Sequence, residues 1–326
     1  MEKVAGTPKP SPLRRLLAVR EAGVIGVLVV MGAALAIFTR GPTGSIFLHS
    51  DNLLDVARQF SFVAIMAVGE LAVILTAGID LSVAACLSLS GVVMAKAMVA
   101  GSGVGLGIAA GLACALAVGA FNGFLVVRVK LPPFIATLGA LSICRGLSYA
   151  VSHGHPISDL PDLFSRGIGH DTFLRVPVPV LVMAGATVVA WFLFSRTRWG
   201  RYFYAVGGNE QASRFAGVPV DKTKFLAYLF CSLCAGVSAV LMTAWLGTAE
   251  SAAMVGGELD VIAAAVIGGA SLMGGHGTAL GALMGAAIMG VLRNGLVLLD
   301  CPAYYREVSI GLVIILAVAM DRFRRK

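Results

Sequence analysis

Long apolar runs separated by short polar interruptions constrain the fold of this chain more than any other feature. A membrane span needs about 20 mainly apolar residues, and several runs approach or exceed that length. The candidate spans are roughly residues 22–39, 55–76, 81–100, 105–127, 133–151, 177–195, 224–246, 257–273, 277–299 and 304–320. Lipid offers no hydrogen-bond partners, so a membrane-spanning segment usually forms a helix, which pairs its backbone groups internally. The sequence therefore predicts an all-α polytopic membrane protein with about ten transmembrane helices.

Composition agrees with this interpretation. The 326 residues are 58% hydrophobic and only 13% charged, and the mean hydropathy is +0.90. These values are far from those of an ordinary soluble domain. The formal net charge of +8 comes from basic residues at the two ends and in one central loop. That distribution is typical of membrane topology, and it does not indicate a nucleic-acid partner.

The central polar loop, about residues 196–223, predicts the orientation. It is rich in Arg and Lys, and basic loops between spans stay in the cytoplasm. An even number of spans then places both termini there, with a basic tail at 1–21 and another at 322–326. The loop at about 152–176 lacks a basic excess and is predicted to be periplasmic. Residues 22–321 form a single transmembrane domain in this interpretation.

Within the central loop, the pattern from Gly207 to Val218 predicts a tight turn and a short helix. The turn is expected over Gly207–Ala212, and Gly217 is expected to end the helix, because glycine is favoured just past a helix C-terminus. A short helix exposed at the membrane surface is suited to binding a partner.

Polar or glycine residues interrupt the apolar sequence at two places, near Gly78–Asp80 and Gly274–Gly277. These two breaks allow two interpretations. A hairpin between two full spans is the simpler one and is the one expected, since short loops commonly join antiparallel helices. The alternative is a re-entrant or broken helix, because non-helical backbone at membrane depth persists only inside protein or beside a cavity.

Motifs for catalysis are absent from the sequence. It has no phosphate-binding GxxxxGK[ST], no G-x-G-x-x-G after a strand, no H-E-x-x-H and no G-x-S-x-G. Six cysteines lie mostly in apolar runs and are interpreted as packing residues. His153, His155 and His170 share the predicted outer loop without metal-ligand spacing. We therefore expect no catalytic residue, no metal and no cofactor bound by this chain.

Ionisable residues inside apolar runs are costly in lipid and usually face a bundle interior or an aqueous path. Glu70 is the carboxylate deepest within a run, and we expect it to face the interior and to be hydrogen-bonded. The ionisable residues are too scattered to indicate the compact ion site of a secondary transporter, which remains an alternative, as does a membrane enzyme or scaffold.

Several long blocks, in order, resemble one family. They are TAGIDLSV (Thr76 to Val83), FNGFLVVRVKLPPFIATLGALSICRGL (Phe121 to Leu147), GRYFYAVGGNEQASRFAGV (Gly200 to Val218), ELDVIAAAVIGGASLMGG (Glu258 to Gly275) and the segment from Tyr305 to Val318. These blocks are similar to the membrane permease subunits of ribose-type sugar importers powered by an ATP-binding cassette. Ala84-Ala85 and His276 depart from the family pattern, which has a glycine with a small polar residue and an arginine there.

The resemblance implies an importer permease fold in the bacterial inner membrane. It implies a separate double-cassette ATPase that binds ATP and Mg²⁺, a periplasmic sugar-binding protein, and a second permease copy or close paralogue. Related cargoes, such as nucleosides, autoinducer-type sugars or branched-chain amino acids, remain alternatives. The residues that would dock on the ATPase are Gly207, Gly208, Asn209, Glu210, Ala212, Arg214 and Gly217.

The residues that line the sugar path are the feature that the sequence determines least. The double proline before Phe134 is suited to the first turn of a membrane-spanning helix. The helices around the two breaks supply the other residues that could line the path. The candidate path or gate residues are Glu70, Asp80, Pro133, Thr137, Asp260 and Ser271.

Overall fold

The computed structural model describes residues 20–41, 44–173 and 175–323. Its main helices, in chain order α1 to α12, are Arg20–Phe38, Ser50–Leu75, Val83–Ala97, Gly103–Val127, Pro133–Ser152, Val178–Arg196, Arg198–Gly208, Glu210–Phe215, Val220–Leu246, Gly257–Ile267, Ala279–Leu298 and Ala303–Phe323. The predicted tails lie outside the described residues except for their innermost positions. The all-α prediction is confirmed.

Short elements complete the described chain. A one-turn helix covers Asp162–Phe164, and π-helical segments cover Met98–Ser102 and Ser165–His170. Two small antiparallel pairs are formed by β1 (Arg40–Gly41) with β2 (Gly44–Ser45) and by β3 (Thr172–Phe173) with β4 (Val176–Pro177).

Six described helical stretches are long and apolar enough to cross a membrane. One of them, Val83–Val127, combines α3, a π-helical turn and α4. The chain reverses at that turn, where Gly101 has a φ of 88°. As a result Gly111 on α4 lies against α3: a Cβ on Gly111 would be 2.9 Å from the Ser90 carbonyl oxygen. This stretch therefore supplies two antiparallel helices, as the sequence predicted.

The predicted full span over residues 257–273 is wrong. Helix α10 ends at Ile267 after 11 residues, about 16 Å at 1.5 Å per residue, whereas the hydrocarbon core is about 30 Å thick. Glycines cause the break. Gly268 packs so closely on α11 that an added Cβ would be 2.0 Å from the Gly281 carbonyl oxygen, and Gly269 has a φ of 94°. Residues 268–278 continue as turns.

The break between α2 and α3 joins a 26-residue helix to a 15-residue helix that continues into the π-helical segment Met98–Ser102. Most of residues 76–82 are buried among other helices. Ala77 adopts a φ of 60°, and the amide of Gly78 bonds back to the Val73 carbonyl. The first break is thus non-helical backbone covered by protein, which is where such backbone is tolerated in a membrane. The second break is only partly buried, with Met273 exposed.

Helix α2 forms the centre of the bundle. Almost every residue from Phe62 to Leu75 is buried, and α9, α11, α10 and α6 pack around it. Large apolar side chains on peripheral helices are exposed, including Val30, Val188 and Ile315. In a membrane these faces contact lipid, which is as apolar as they are. The polar residues near α2 are therefore held inside the protein.

Candidate functional site

The end of the bundle that includes α7 and α8 is called the inner end here, and the sequence predicts that it is cytoplasmic. Gly207, near the end of α7, contacts two other segments there. A Cβ on Gly207 would be 1.8 Å from the Leu75 carbonyl oxygen and 2.5 Å from the Gly275 amide nitrogen. That amide donates a hydrogen bond to the Leu75 carbonyl at 3.0 Å. We call Gly207, Leu75 and Gly275 the inner junction.

The inner junction joins both breaks to α7. Leu75 ends α2 immediately before the first break, and Gly275 lies in the second, where its φ is 71°. The hydroxyl of Tyr204 on α7 also donates to the Gly277 carbonyl at 2.8 Å. Ser271 organises the same turn, since its hydroxyl accepts from the Met273 amide at 3.2 Å. A displacement of α7 would therefore act on both non-helical segments.

Helix α8 is the predicted short helix. The Asn209 side chain accepts from the Ala212 amide at 2.9 Å, a typical N-cap, and Gly217 follows the helix with a φ of 78°. The predicted turn over Gly207–Ala212 is shorter than expected, because Gly207 and Gly208 end α7 and Asn209 alone separates the two helices. Phe215 at the end of α8 is 92% exposed.

Ion pairs hold α8 against the start of α9. Glu210 accepts from the Lys224 ammonium at 2.6 Å and from the Arg214 guanidinium at 3.1 Å. Arg214 also donates to Asp221 at 2.6 Å. Partial burial opposes ionisation of Glu210, but Lys224 and Arg214 hold its pKa below the ordinary value. The short helix is therefore fixed to a spanning helix at its base.

A buried polar network surrounds the first break. The Glu70 carboxylate accepts from the Asp80 amide at 2.9 Å and from the Cys231 thiol at 3.3 Å. The Asp80 carboxylate in turn accepts from the Ser82 amide at 2.8 Å and from the Ser82 hydroxyl at 2.6 Å. Both carboxylate side chains are fully enclosed. The network holds the non-helical backbone beside α2.

Asn122 and Thr137 extend this network to two more helices. The Asn122 amide on α4 donates to the Ser82 hydroxyl at 2.8 Å. The Thr137 hydroxyl on α5 lies 3.3 Å from the Ile79 carbonyl and donates to the Pro133 carbonyl at 2.9 Å. Of the predicted path residues, Glu70, Asp80, Pro133 and Thr137 thus meet at the first break, and Ser271 lies at the inner junction.

Sequence patterns did not identify Ser82, Asn122 and Cys231 as members of the buried network, or Tyr228 as a buried residue beside it. Asn122 could have been found, because it is the only amide side chain in the glycine-rich, apolar helix α4. The Tyr228 hydroxyl is buried near Gly78, but nothing in its local sequence indicates that contact. Such a contact is set by the packing of α9 on α2.

The opposite, outer end of the bundle is held by Arg145 of α5. Its guanidinium donates to the Ser88 hydroxyl at 2.9 Å and to the carbonyls of Ser251 and Ala253, each at 3.1 Å. The Ser88 hydroxyl also donates to the Ala253 carbonyl at 2.7 Å. We call Arg145, Ser88 and these two carbonyls the outer clasp. It holds the loop of residues 247–256 against α3 and α5.

Asp260, the remaining predicted path residue, lies near the start of α10 in the outer half of the bundle. Its carboxylate accepts from the Arg293 guanidinium of α11 at 2.5 Å. The Asp260 side chain is 11% exposed and that of Arg293 is 47% exposed. Among the described residues, no group of three or more His, Cys, Asp or Glu side chains could hold a metal ion.

Comparison with known proteins gives a consistent result. The family model described as branched-chain amino acid transport system / permease component matches residues 52–318. The ribose import permease of Escherichia coli K12 is 42% identical over 280 residues, which are 84% of this chain and 87% of that protein. The corresponding protein of Bacillus subtilis is 39% identical over 91% of this chain and 94% of its own. The D-allose transport system permease of E. coli K12 is 37% identical over 92% of each chain.

Proposed function

Because the chain belongs to the family of branched-chain amino acid transport system permease components, and so is a multi-pass protein of the inner membrane, we propose that it is the membrane subunit of an ATP-driven sugar importer. The relatives are named for the import of ribose and the transport of D-allose, which favours a monosaccharide over the amino acid of the family description. A nucleoside, an autoinducer-type sugar or a branched-chain amino acid is the alternative cargo.

The inner junction is the observation on which the coupling part of this proposal rests. Helix α8 presents Phe215 to solvent and is tied to α9 by ion pairs. Helix α7 connects α8 to backbone contacts at Leu75 and Gly275 that leave no space for a side chain. A push on α8 would therefore pass through α7 to both breaks, and ATP binding by a partner need only favour one of two packings.

Each proposed partner has a separate role in transport. A separate double-cassette ATPase binds ATP and Mg²⁺ and docks on α8, with Glu210, Ala212 and Arg214 at the contact. A periplasmic binding protein delivers the sugar at the outer end. A second permease copy or close paralogue completes the path. This chain contributes the gated passage and holds no cofactor itself.

An ion-coupled secondary transporter is the second candidate. The observation that favours it is the pair of enclosed carboxylates at a helix break, since ion sites of such transporters lie at discontinuous helices. Against it, hydrogen bonds from Asp80, Ser82 and Asn122 already engage the two carboxylates.

Uptake into vesicles tests the proposal. The chain is reconstituted with the ATPase and binding protein encoded beside it, and uptake of labelled D-ribose, D-allose and L-arabinose is measured with ATP inside. We expect uptake of at least one sugar that requires both partners and ATP. Accumulation by this chain alone, driven by an ion gradient, would instead establish the secondary transporter.

A further inference from the structure

A cavity of about 260 Å³ lies between α2, α9, α10 and α11 in the outer half of the bundle. Phe62 and Trp245 form one part of its wall, with ring centroids 5.7 Å apart. Met254 of the 247–256 loop lines it from the outer side. Most of the lining is apolar, with polar groups from Gln59, Asp260 and Arg293. Small-molecule sites commonly combine an apolar wall with a few placed polar groups.

The polar groups retain unused hydrogen-bonding capacity. The Asp260–Arg293 pair uses one guanidinium nitrogen and one carboxylate oxygen, whereas a guanidinium has five N–H donors and a carboxylate two acceptor oxygens. The Gln59 side chain, which adds an amide donor and acceptor, is exposed beside the cavity. Donors and acceptors are thus grouped at one side of an aromatic wall.

This combination matches the surface of a sugar ring. A pyranose or furanose has an apolar C–H face, which packs on an aromatic ring, and hydroxyl groups that both donate and accept hydrogen bonds. Planar carboxylate, guanidinium and amide groups can engage such hydroxyls. An acyl chain would use the apolar wall but would leave the polar groups without a role. The volume of the cavity is slightly below the usual range of ligand sites, so it suits a single ring and excludes a larger ligand.

We propose that this cavity is a transit site for one monosaccharide, in which Trp245 packs on the ring and Gln59, Asp260 and Arg293 bind its hydroxyls. The inference rests on the proposed function and adds a residue-level site to it. Affinity is expected to be low, with a Kd on the order of 1 mM, because a tight site would hold the sugar and slow its passage.

The loop that lines the outer side of the cavity is the one held by the outer clasp. Met254 and Val255 line the cavity, and the neighbouring Ser251 and Ala253 carbonyls are bound by Arg145. Release of this loop would open the cavity toward the outer end. Entry of sugar is therefore coupled to the clasp.

Intrinsic fluorescence of the purified full-length chain in lipid nanodiscs tests the site. D-ribose, D-allose and L-arabinose are titrated, with sucrose as a larger control. We expect saturable quenching by at least one monosaccharide and none by sucrose. The signal should persist in a Trp191→Phe/Trp199→Phe variant and disappear in Trp245→Phe, since the chain has three tryptophans.

Two further variants probe the binding groups themselves. Gln59→Ala removes hydrogen bonds to the sugar and should weaken binding about tenfold. Met289→Phe reduces the volume of the cavity without removing a polar group and should also weaken binding. Gln211→Ala, on the exposed helix α8, is the matched control and should bind as the parent chain does.

Several outcomes would overturn the inference. They are an absence of quenching by every monosaccharide, equal quenching by sucrose, a signal that survives Trp245→Phe, or unchanged binding in both Gln59→Ala and Met289→Phe. The parent chain alone decides the first two if the variants are unstable. Failure of the proposed function has a different signature, because ATP-driven uptake is then absent in vesicles even where Trp245-dependent binding is present.

Discussion

The inner junction and the outer clasp close the two ends of one bundle by different kinds of contact. At the inner junction, Gly207, Leu75 and Gly275 meet backbone to backbone, with no space for a Cβ. At the outer clasp, the long side chain of Arg145 reaches two carbonyls of a loop, each through a hydrogen bond of 3.1 Å. Both ends connect to non-helical segments. The Tyr204 hydroxyl adds one side-chain hydrogen bond at the inner end, but only the outer contact depends on side chains throughout.

This difference assigns different mechanical roles to the two ends. Backbone contacts without side chains between them transmit displacement with little loss, because packed interiors are not continuously deformable. A side-chain clasp holds a loop at modest energetic cost and releases it when the loop finds other partners. The inner end therefore suits force transmission, and the outer end suits gating. The following substitutions test this contrast.

The largest effect is expected for Gly207→Ala. Its methyl group would lie 1.8 Å from the Leu75 carbonyl oxygen, so the junction must separate, at a cost of about 3 kcal/mol. ATP-driven uptake should fall by more than about tenfold while the ATPase remains active. Gly185→Ala, in the spanning helix α6, is the control, since a Cβ there meets nothing within 4 Å. Equal uptake in the two variants would refute a rigid junction.

Glu70→Ala should have the next largest effect. It leaves the Asp80 amide buried without its acceptor and creates a small void, together about 3 kcal/mol of destabilisation. Glu70→Gln retains an acceptor oxygen and should cost less than about 1 kcal/mol. Thermal unfolding in detergent compares the two variants. If both left stability and transport unchanged, Glu70 would have no part in holding the break.

Arg145→Ala should loosen the outer end and leave the inner end intact. The Ser251 carbonyl loses its guanidinium donor and keeps only the long hydrogen bond from the Ser148 hydroxyl at 3.5 Å, whereas the Ala253 carbonyl keeps the Ser88 hydroxyl at 2.7 Å. We therefore expect about 2 kcal/mol of local destabilisation. Hydrogen exchange in residues 249–256 should accelerate about thirtyfold, with no change near Gly207. Ser142→Ala, on the exposed face of the same helix, is the control. Faster hydrogen exchange at both ends of the bundle would contradict the proposed difference between the outer clasp and the inner junction.

The smallest effect is expected for the Glu210–Lys224 ion pair. Glu210 is 41% exposed, so a double-mutant cycle with Glu210→Gln and Lys224→Met should give about 0.5 kcal/mol. High salt should reduce this coupling. Because the pKa of Glu210 is lowered in the folded chain, the contribution is present above its unfolded pKa and is lost as pH falls through the folded pKa. A coupling independent of salt would contradict this interpretation.

Much of the fold could be predicted from the sequence, because apolar runs specify spans directly. Nine of the ten predicted spans are helical over at least three quarters of their length, and the short helix between Asn209 and Gly217 was expected from its cap residues. The span at 257–273 failed for a physical reason. Hydropathy measures the cost of placing side chains in lipid, but it does not report that Gly268 and Gly269 end the helix against α11.

The sites were less predictable. Glu70 was expected to be internal and hydrogen-bonded, which the structure confirms. Its partners were not foreseen, because the Asp80 amide and the Cys231 thiol approach it only after α2, α9 and the first break have packed together. The junction of Gly207 with Gly275 likewise joins segments far apart in sequence, and single-sequence patterns do not encode such pairings.

The short helix α10 also has a consequence for biogenesis. Its 11 residues are too few to partition into the bilayer as an independent segment, since insertion needs about 20 apolar residues. The backbone groups of the glycine-rich turn that follows could not be satisfied by lipid without protein packed around them. We therefore expect α10 to enter the membrane together with α11 as one hairpin, after α2 is already present to receive it. Because α2 precedes α10 and α11 in the chain, it is synthesised before them.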